Sequence, residues 1–334
     1  MKNGVILYDD RGEVLHAHGG YMLYENGYFY WFGENRTGDI RVSCYRSKDL
    51  EHWEFRNHVL TCDSKVQEHY IRSDTRLRKE VTLKDGSKKM GSCNIERPKV
   101  LYNSKTKQYV MWMHYENGVH YGDARCAVAV SDKIDGDYTY YGSFNPIGNM
   151  SRDCTVFKEE DGTAYFISAA RENADLIIYR LTEDYLAIDE QVRILWPGQA
   201  REAPVLFKRN DRYYMLSSAC TGWLPNQGKY AISDSLTGRW STLKPFGDKT
   251  TYDSQPAFIL PLETAGGVEW IYVGDRWNGE NYPASTYVFF PLHFNEIGEI
   301  ISEASTWAKI SRKKVISADY IEKALTQRVE RIKK

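Results

Sequence analysis

Five polar residues recur at the same place in five similar stretches of the chain. His18, Glu96, Asp153, Glu202 and Gln255 each open a short apolar strand that runs through a turn into an aromatic strand. The copies read HGGYMLYENGYFYWFGE (18–34), ERPKVLYNSKTKQYVMWMHYE (96–116), DCTVFKEEDGTAYFISAARE (153–172), EAPVLFKRNDRYYMLSSACTGW (202–223) and QPAFILPLETAGGVEWIYVGDRW (255–277). Three openers are carboxylates and one is an amide. If the copies pack around an axis, these groups meet in space. Gathered carboxylates repel one another, which raises at least one pKa and keeps a proton available near neutral pH. Two carboxylates across a pocket are the equipment for cleaving a glycosidic bond: one protonates the leaving oxygen, the other activates water or attacks the sugar. The alternative is that the openers cap strand ends and bind pore water; three ionisable groups in five equivalent places argue for the chemistry. Glu96 and Glu202 are each followed by X-Pro (Arg97-Pro98, Ala203-Pro204), as if both strands start from one fixed geometry.

Further residues fit the same pocket. Trp223 in CTGWLPN and Trp277 in GDRWN follow small or polar residues at a strand end and are expected to form flat platforms for a sugar. Glu34 and Glu172 each close a second strand, Tyr121 lies in HYGDARC and Arg276 precedes Trp277. Each of these four, and His18, could hydrogen-bond sugar hydroxyls, or be tied up in salt bridges between repeats.

The elements that must hold these groups follow from the repeat. Asn26-Gly27, Asp161-Gly162, Asn210-Asp211 and Gly266-Gly267 are turn residues between the paired strands, with Ser104-Lys105 in the second copy. A second hairpin follows each copy: VSCYRSKDLEHWEF (42–55), CAVAVSDKIDGDYTYY (126–141), LIIYRLTEDYLAI (176–188), KYAISDSLTGRWSTL (229–243) and STYVFFPLHFNEIGEI (285–300). Each unit is therefore expected to be a four-stranded antiparallel blade, at the ~40–50 residues usual for such a repeat. The fold class is all-β, a five-bladed β-propeller over residues 1–304. A polar insertion at about 63–92, with its own hairpin RKEVTLKDGSKKMG, lengthens the first interval. Residues 305–334 form a C-terminal extension with a short helix expected over about 317–332. Ser317 would cap it, and Ile321, Leu325, Val329 and Ile332 share one face for the propeller rim or a dimer contact.

Composition narrows the partners. The net charge of −1 excludes nucleic acid or an anionic membrane as the main partner, because both call for a basic excess. No apolar run approaches the ~18 residues of a membrane span. The opening MKNGVILYDDRG is not a secretory signal, since Asp9 and Asp10 break its apolar run. The expected location is cytoplasmic, or extracellular if an export segment is not part of this sequence. Cys44, Cys62, Cys93, Cys126, Cys154 and Cys220 lie far apart with no CxxC, so free thiols are expected. His16 and His18 form an HAH pair without a further ligand at metal-site spacing, so no metal and no cofactor are expected. A structural cation in the central channel would suit the fold, but no loop is dedicated to one.

Six segments in order, at blade spacing, resemble glycoside hydrolase family 43: HAHGGYMLYENGYFYWFGEN, IERPKVLYN, SRDCTVFKEEDGTAYF, REAPVLFKRNDRYYMLSSACTGWLPN, DSQPAF and YVGDRWN. The resemblance covers roughly residues 5–300 and is greatest to the branch that includes exo-β-1,3-galactanases. It implies an inverting, exo-acting enzyme on plant or microbial oligosaccharides and polysaccharides. By motif, Glu202 matches the general acid and Asp153 the carboxylate that orients and tunes it. Most of the family has an Asp base in blade one, where this chain has His18 within HAHGG. The galactanase branch also lacks that Asp; there the resemblance implies that Gln255 positions or activates the water and that Glu96 is a further required carboxylate. A neutral amide is a poor proton acceptor, so Glu96 remains open as the base, with Gln255 positioning the water. The same scaffold serves α-L-arabinofuranosidases, β-xylosidases and galactofuranosidases. A carbohydrate-binding propeller without catalysis is the alternative of another class, and a protein-interaction hub fits the polar centre least. Oligomeric state is not legible.

Overall fold

A computed structural model describes residues 1–301, apart from Lys84. Blade one comprises β1 (His18–Glu25), β2 (Tyr28–Asn35), β3 (Arg41–Ser47) and β4 (Glu54–Thr61). A separate hairpin, β5 (Arg78–Thr82) and β6 (Lys88–Ser92), lies in the expected insertion. Blade two comprises β7 (Asn94–Asn103), β8 (Gln108–Glu116), β9 (Arg125–Ser131) and β10 (Thr139–Phe144). Blade three comprises β11 (Cys154–Lys158), β12 (Ala164–Ala170), β13 (Asp175–Leu181) and β14 (Ile188–Leu195). Blade four comprises β15 (Arg201–Arg209), β16 (Arg212–Ala219), β17 (Gly228–Ser233) and β18 (Lys244–Phe246). Blade five comprises β19 (Gln255–Thr264), β20 (Gly267–Arg276) and β21 (Thr286–Pro291). Within each blade the strands are antiparallel and hydrogen-bonded in chain order.

The innermost strands β1, β7, β11, β15 and β19 touch one another around a ring, β19 returning to β1. Each blade is covered on both faces by its neighbours, so its strands are apolar runs rather than alternating ones. In β8 every residue after Gln108 is buried. Five apolar layers fill the gaps between blades. Trp112, Phe166 and Tyr179 belong to the layer joining blades two and three. Trp31, Trp53, Phe258 and Ile271 belong to the layer that closes blade five onto blade one. The 14% aromatic content is largely spent here. At the β1–β2 hairpin, Asn26 and Gly27 both take positive φ (50° and 84°), the geometry of a two-residue turn matched to strand twist.

One expectation is corrected. Blade five has three strands among the described residues, not four. The outer edge of β21 is met instead by the start of the chain: Gly4 N–H donates to Tyr287 O (2.9 Å), and Asn3 exchanges two hydrogen bonds with Phe289. The helix expected over 317–332 lies outside the described residues. All six cysteines are free thiols. No helix among the described residues is long and apolar enough to cross a membrane.

The strand openers share a local device. The β1–β2, β7–β8 and β15–β16 ladders slip directly after His18, Glu96 and Glu202. The next residue is left-handed in each case: Gly19 (φ 56°), Arg97 (φ 54°) and Ala203 (φ 49°). Such a bulge leaves residues unpaired, bends the strand and re-aims a side chain. Pro98 and Pro204 fall in the skipped stretch, where a missing N–H costs no ladder bond. The X-Pro signal therefore marks the bulge. Holding Arg97 and Ala203 in this conformation costs about 1 kcal/mol each.

Candidate active site

Four of the five openers meet at one end of the ring. Glu96, Asp153, Glu202 and Gln255 line a cavity of about 310 Å³ together with Glu34, Arg36, Arg97, His114, Tyr121, Arg152, Asn173, Gly222, Trp223 and Trp277. That volume is at the small end of the ~300–1,000 Å³ usual for small-molecule sites.

Glu202 stands on the blade-four side. Gln255 Nε2 donates to its Oε1 (2.9 Å) and Asn173 Nδ2 to its Oε2 (3.3 Å). Burial, and then the charge of Asp153, push its carboxyl up to about 7; Arg97 and Gln255 pull it only part of the way back. Asp153 lies just before β11. Its Oδ2 accepts the Ala203 N–H (3.0 Å) and sits 3.1 Å from Arg97 Nε. The bulge that aims Glu202 thus also offers the N–H that fixes Asp153.

Gln255 is fully engaged. Its Oε1 accepts from Arg97 and from Trp277 Nε1 (2.8 Å), and its Nε2 also donates to Ser218 Oγ (3.1 Å). Two acceptor and two donor positions are what a glutamine amide has. Arg97 reaches on to Pro256 O (2.6 Å) and so spans from blade two to blade five across the cavity floor. Below it, Lys99 donates to the carbonyls of Gly19 and Gly20. Both side chains are buried, so the cavity has no opening along the axis.

Glu96, on the blade-two side, has cationic and donor neighbours. Arg36 donates to its Oε1 (2.9 Å), Tyr121 OH donates to the same oxygen, and His114 Nδ1 lies 3.0 Å from Oε2. Burial alone would raise its pKa. Arg36, His114 and Tyr121 outweigh burial and hold it well below the usual carboxylate range. Glu34 shares Arg36 (3.2 and 3.3 Å) but is pushed upward, by burial first and also by Glu96.

Trp223 and Trp277 both line the cavity. Trp223 is 44% exposed and meets Trp277 edge to face, centroids 5.5 Å apart. Gly279 lies beneath Trp223, where a Cβ would come within 2.7 Å of the indole, so the wall stands only because that residue has no side chain.

Three expected residues lie elsewhere. His18 is fully buried below the cavity, its Nδ1 3.1 Å from Asp275 Oδ1 and its ring stacked on Tyr287. Asp275 also accepts the Gly19 N–H (3.0 Å), so blade five captures the blade-one opener from beneath. Arg276 closes β20, points away and donates to Tyr252 O (3.0 and 2.8 Å). Glu172 sits in the turn after β12, its side chain 65% exposed and paired with Arg152. It holds a rim residue without lining the cavity.

Arg36, Arg97, His114, Arg152 and Asn173 were not singled out from sequence. Arg97 is the middle residue of ERP, and Arg36 follows Glu34 by two. His114 was reachable only through register, since it pairs directly with Glu96. Glu96, His114 and Asp153 each bring one ligand atom within 4.8 Å of the others, the spacing of a cation site. Arg36 at 2.9 Å and Arg97 at 3.1 Å already occupy the two carboxylates.

The family model for glycosyl hydrolases family 43 matches residues 100–254. A second model, the LID domain of archaeal LonB AAA+ ATPases, matches residues 290–331; its described part belongs to the end of blade five. Among solved structures, an exo-β-1,3-galactanase from Clostridium thermocellum is 45% identical over 90% of this chain and 64% of its own, with a TM-score of 0.79. An exo-β-1,3-galactanase from Phanerochaete chrysosporium, solved with β-1,3-galactotriose, is 33% identical over 90% and 66%, with a TM-score of 0.77. A GH43 β-1,3-galactosidase solved with galactodeoxynojirimycin is 30% identical over 90% and 97%, with a TM-score of 0.78. The chain thus spans a little under two thirds of the two galactanases. No curated protein matches it.

Proposed function

Because the chain belongs to glycosyl hydrolase family 43, we propose that it is an exo-acting, inverting glycosidase that removes terminal galactose from β-1,3-galactan-type chains. The observation that carries this reading is a half-buried carboxyl, Glu202, on the wall of a cavity with a closed floor, its pKa pushed up to about 7 by burial and the charge of Asp153. With its floor closed, the cavity is entered from its mouth alone, which suits a chain end. Glu202 donates its proton to the leaving glycosidic oxygen. Asp153, fixed by Arg97 and the Ala203 N–H, keeps that acid protonated, and Gln255 fixes its orientation.

With both faces of its amide engaged, Gln255 serves the acid. The water belongs to the opposite side, where Glu96 and Glu34 share Arg36. Glu96 stays ionised and holds the water by a charged hydrogen bond, and the carboxylate pair is the acceptor for its proton. Trp223 and Trp277 offer ring faces to the sugar. Galactan-type oligosaccharides are the partner this cavity suits, and no cofactor takes part in these steps.

The test is product release from β-1,3-galactobiose beside aryl β-galactoside, α-arabinofuranoside, β-xyloside and galactofuranoside, with the anomer of the released sugar read by NMR. Galactose of inverted configuration from the β-1,3 substrate is expected. Release of a pentose or galactofuranose instead would move the specificity. Sugar binding without any turnover would leave a binding propeller.

A further inference from the structure

Behind Glu96 stands a buried pair that the steps above do not use. His114 faces Glu96 directly across the β7–β8 ladder, and Glu116, two residues on, shares its side of β8. Both are buried, Glu116 completely. A carboxylate so placed is costly unless its oxygens are satisfied. Glu116 Oε1 lies 3.0 Å from His114 Nε2, and Oε2 accepts the N–H groups of Asp123 and Ala124, both at 3.0 Å. The chain turns back to deliver those donors through Ala124, which is left-handed (φ 41°). The other ring nitrogen, Nδ1, lies 3.0 Å from Glu96 Oε2, an ion-pair contact whose angle falls outside hydrogen-bond geometry. An imidazole between two carboxylates keeps a proton on both nitrogens. Burial opposes the charge, but Glu116 and Glu96 outweigh it and push His114 up to about 9.

The two oxygens of Glu96 are held by different groups. Arg36 and Tyr121 both act on Oε1. His114 is the group that meets Oε2. Other charged groups around this cluster are Glu34, which shares Arg36, Asp153, within 4.8 Å of both Glu96 and His114 and paired with Arg97, and Asp123, whose N–H meets Glu116 and whose carboxylate lies 4.0 Å from Lys79; the Tyr121 ring lies 6.1 Å from the His114 ring.

We propose that His114 and Glu116 are positioning residues that act through Glu96: Glu116, anchored by two backbone N–H groups, clamps the imidazolium against Glu96 and so fixes the direction and the negative charge of that carboxylate in the cavity. The inference rests on Glu96 belonging to the glycosidase site proposed above.

The decisive variant is Glu116→Gln, close to isosteric and remote from the sugar. Its kcat/KM on β-1,3-galactobiose is expected to fall about 10- to 100-fold, as when an outer-shell partner is lost. The acid limb of kcat/KM should rise, by about one pH unit, because Glu96 loses one of its two cationic neighbours and keeps only Arg36. Glu116→Asp, which keeps the charge, should restore part of both. In ¹⁵N-histidine-labelled protein, His114 (assigned through His114→Asn) should remain an imidazolium through pH 8 and become neutral by pH 7 in Glu116→Gln. A folded Glu116→Gln with unchanged kcat, KM and pH profile overturns the proposal, whatever its melting temperature. So does a wild-type His114 that is neutral at pH 6, a measurement that decides the matter if the variant does not fold. A wild type with no glycosidase activity overturns the reading of the site instead, and the histidine titration still judges the clamp.

Discussion

Glu96 and Glu202 occupy the same place in two blades. Each stands within the first three residues of an innermost strand, each is followed by a left-handed residue and a proline, and each turns a carboxyl into one cavity. Near neutral pH they are nevertheless driven opposite ways, Glu202 up and Glu96 down. The residue paired with each across the next strand differs: His114 stands opposite Glu96 and Ser218 opposite Glu202. Beyond those pairs, Glu96 has Arg36 to itself and Glu34, whereas Arg97, the cation near Glu202, is taken by Asp153 and Gln255. The repeated backbone delivers both carboxyls, and the non-repeated neighbours assign their protonation states.

The most direct way to break this comparison is Glu202→Gln. An amide cannot protonate a leaving group, so kcat/KM on β-1,3-galactobiose should fall about 10²- to 10⁴-fold, and less on aryl galactosides with good leaving groups. A loss under tenfold in steady-state assays would remove Glu202 from the acid role. Next in size, kcat/KM of the wild type should decline as pH rises through about 7, where Glu202 gives up its proton. Gln255→Glu places a second anion 2.9 Å from that carboxyl and should move this basic limb upward by about one pH unit. A downward shift would mean that the new carboxylate rather than Glu202 bears the proton.

A smaller effect concerns stability. A carboxyl raised from its usual 4.5 to about 7 stabilises the fold fully below 4.5, and that contribution is lost as pH rises through 7. Glu202→Gln should therefore match the wild type in unfolding free energy at pH 4.5 and exceed it at pH 8, by an amount on the order of 1 kcal/mol, with a higher melting temperature at pH 8 only. Equal melting curves at pH 8 would show that Glu202 is ionised at no cost. The smallest effect belongs to Glu172→Gln. Its ion pair with Arg152 is surface-exposed, and such pairs contribute roughly 0–1 kcal/mol, so kcat/KM should change less than about threefold. A larger loss would bring the rim into substrate recognition.

The repeat was legible because strand, turn and opener recur in the chain itself, and four openers do share the cavity. His18 shows where that reasoning stops. It is the equivalent opener of blade one, but Asp275, from a strand remote in sequence, holds it under the floor. Arg276 closes β20 and turns onto Tyr252 O, a contact that its place beside Trp277 in the chain does not reveal. His114, Arg36 and Asn173 were hidden for a different reason. Their roles depend on which residue lies across a ladder or around a turn, and register is settled by the bulges, not by residue type.

The floor sealed by Arg97 and Lys99 also dictates an order of events in time. A sugar freed at the blind end cannot depart while the remaining chain fills the mouth, so on the proposed reading the shortened polymer must leave first. Each cut then ends one encounter. Degradation would be distributive: a population of chains shortens together, and intermediate lengths accumulate before any single chain is consumed.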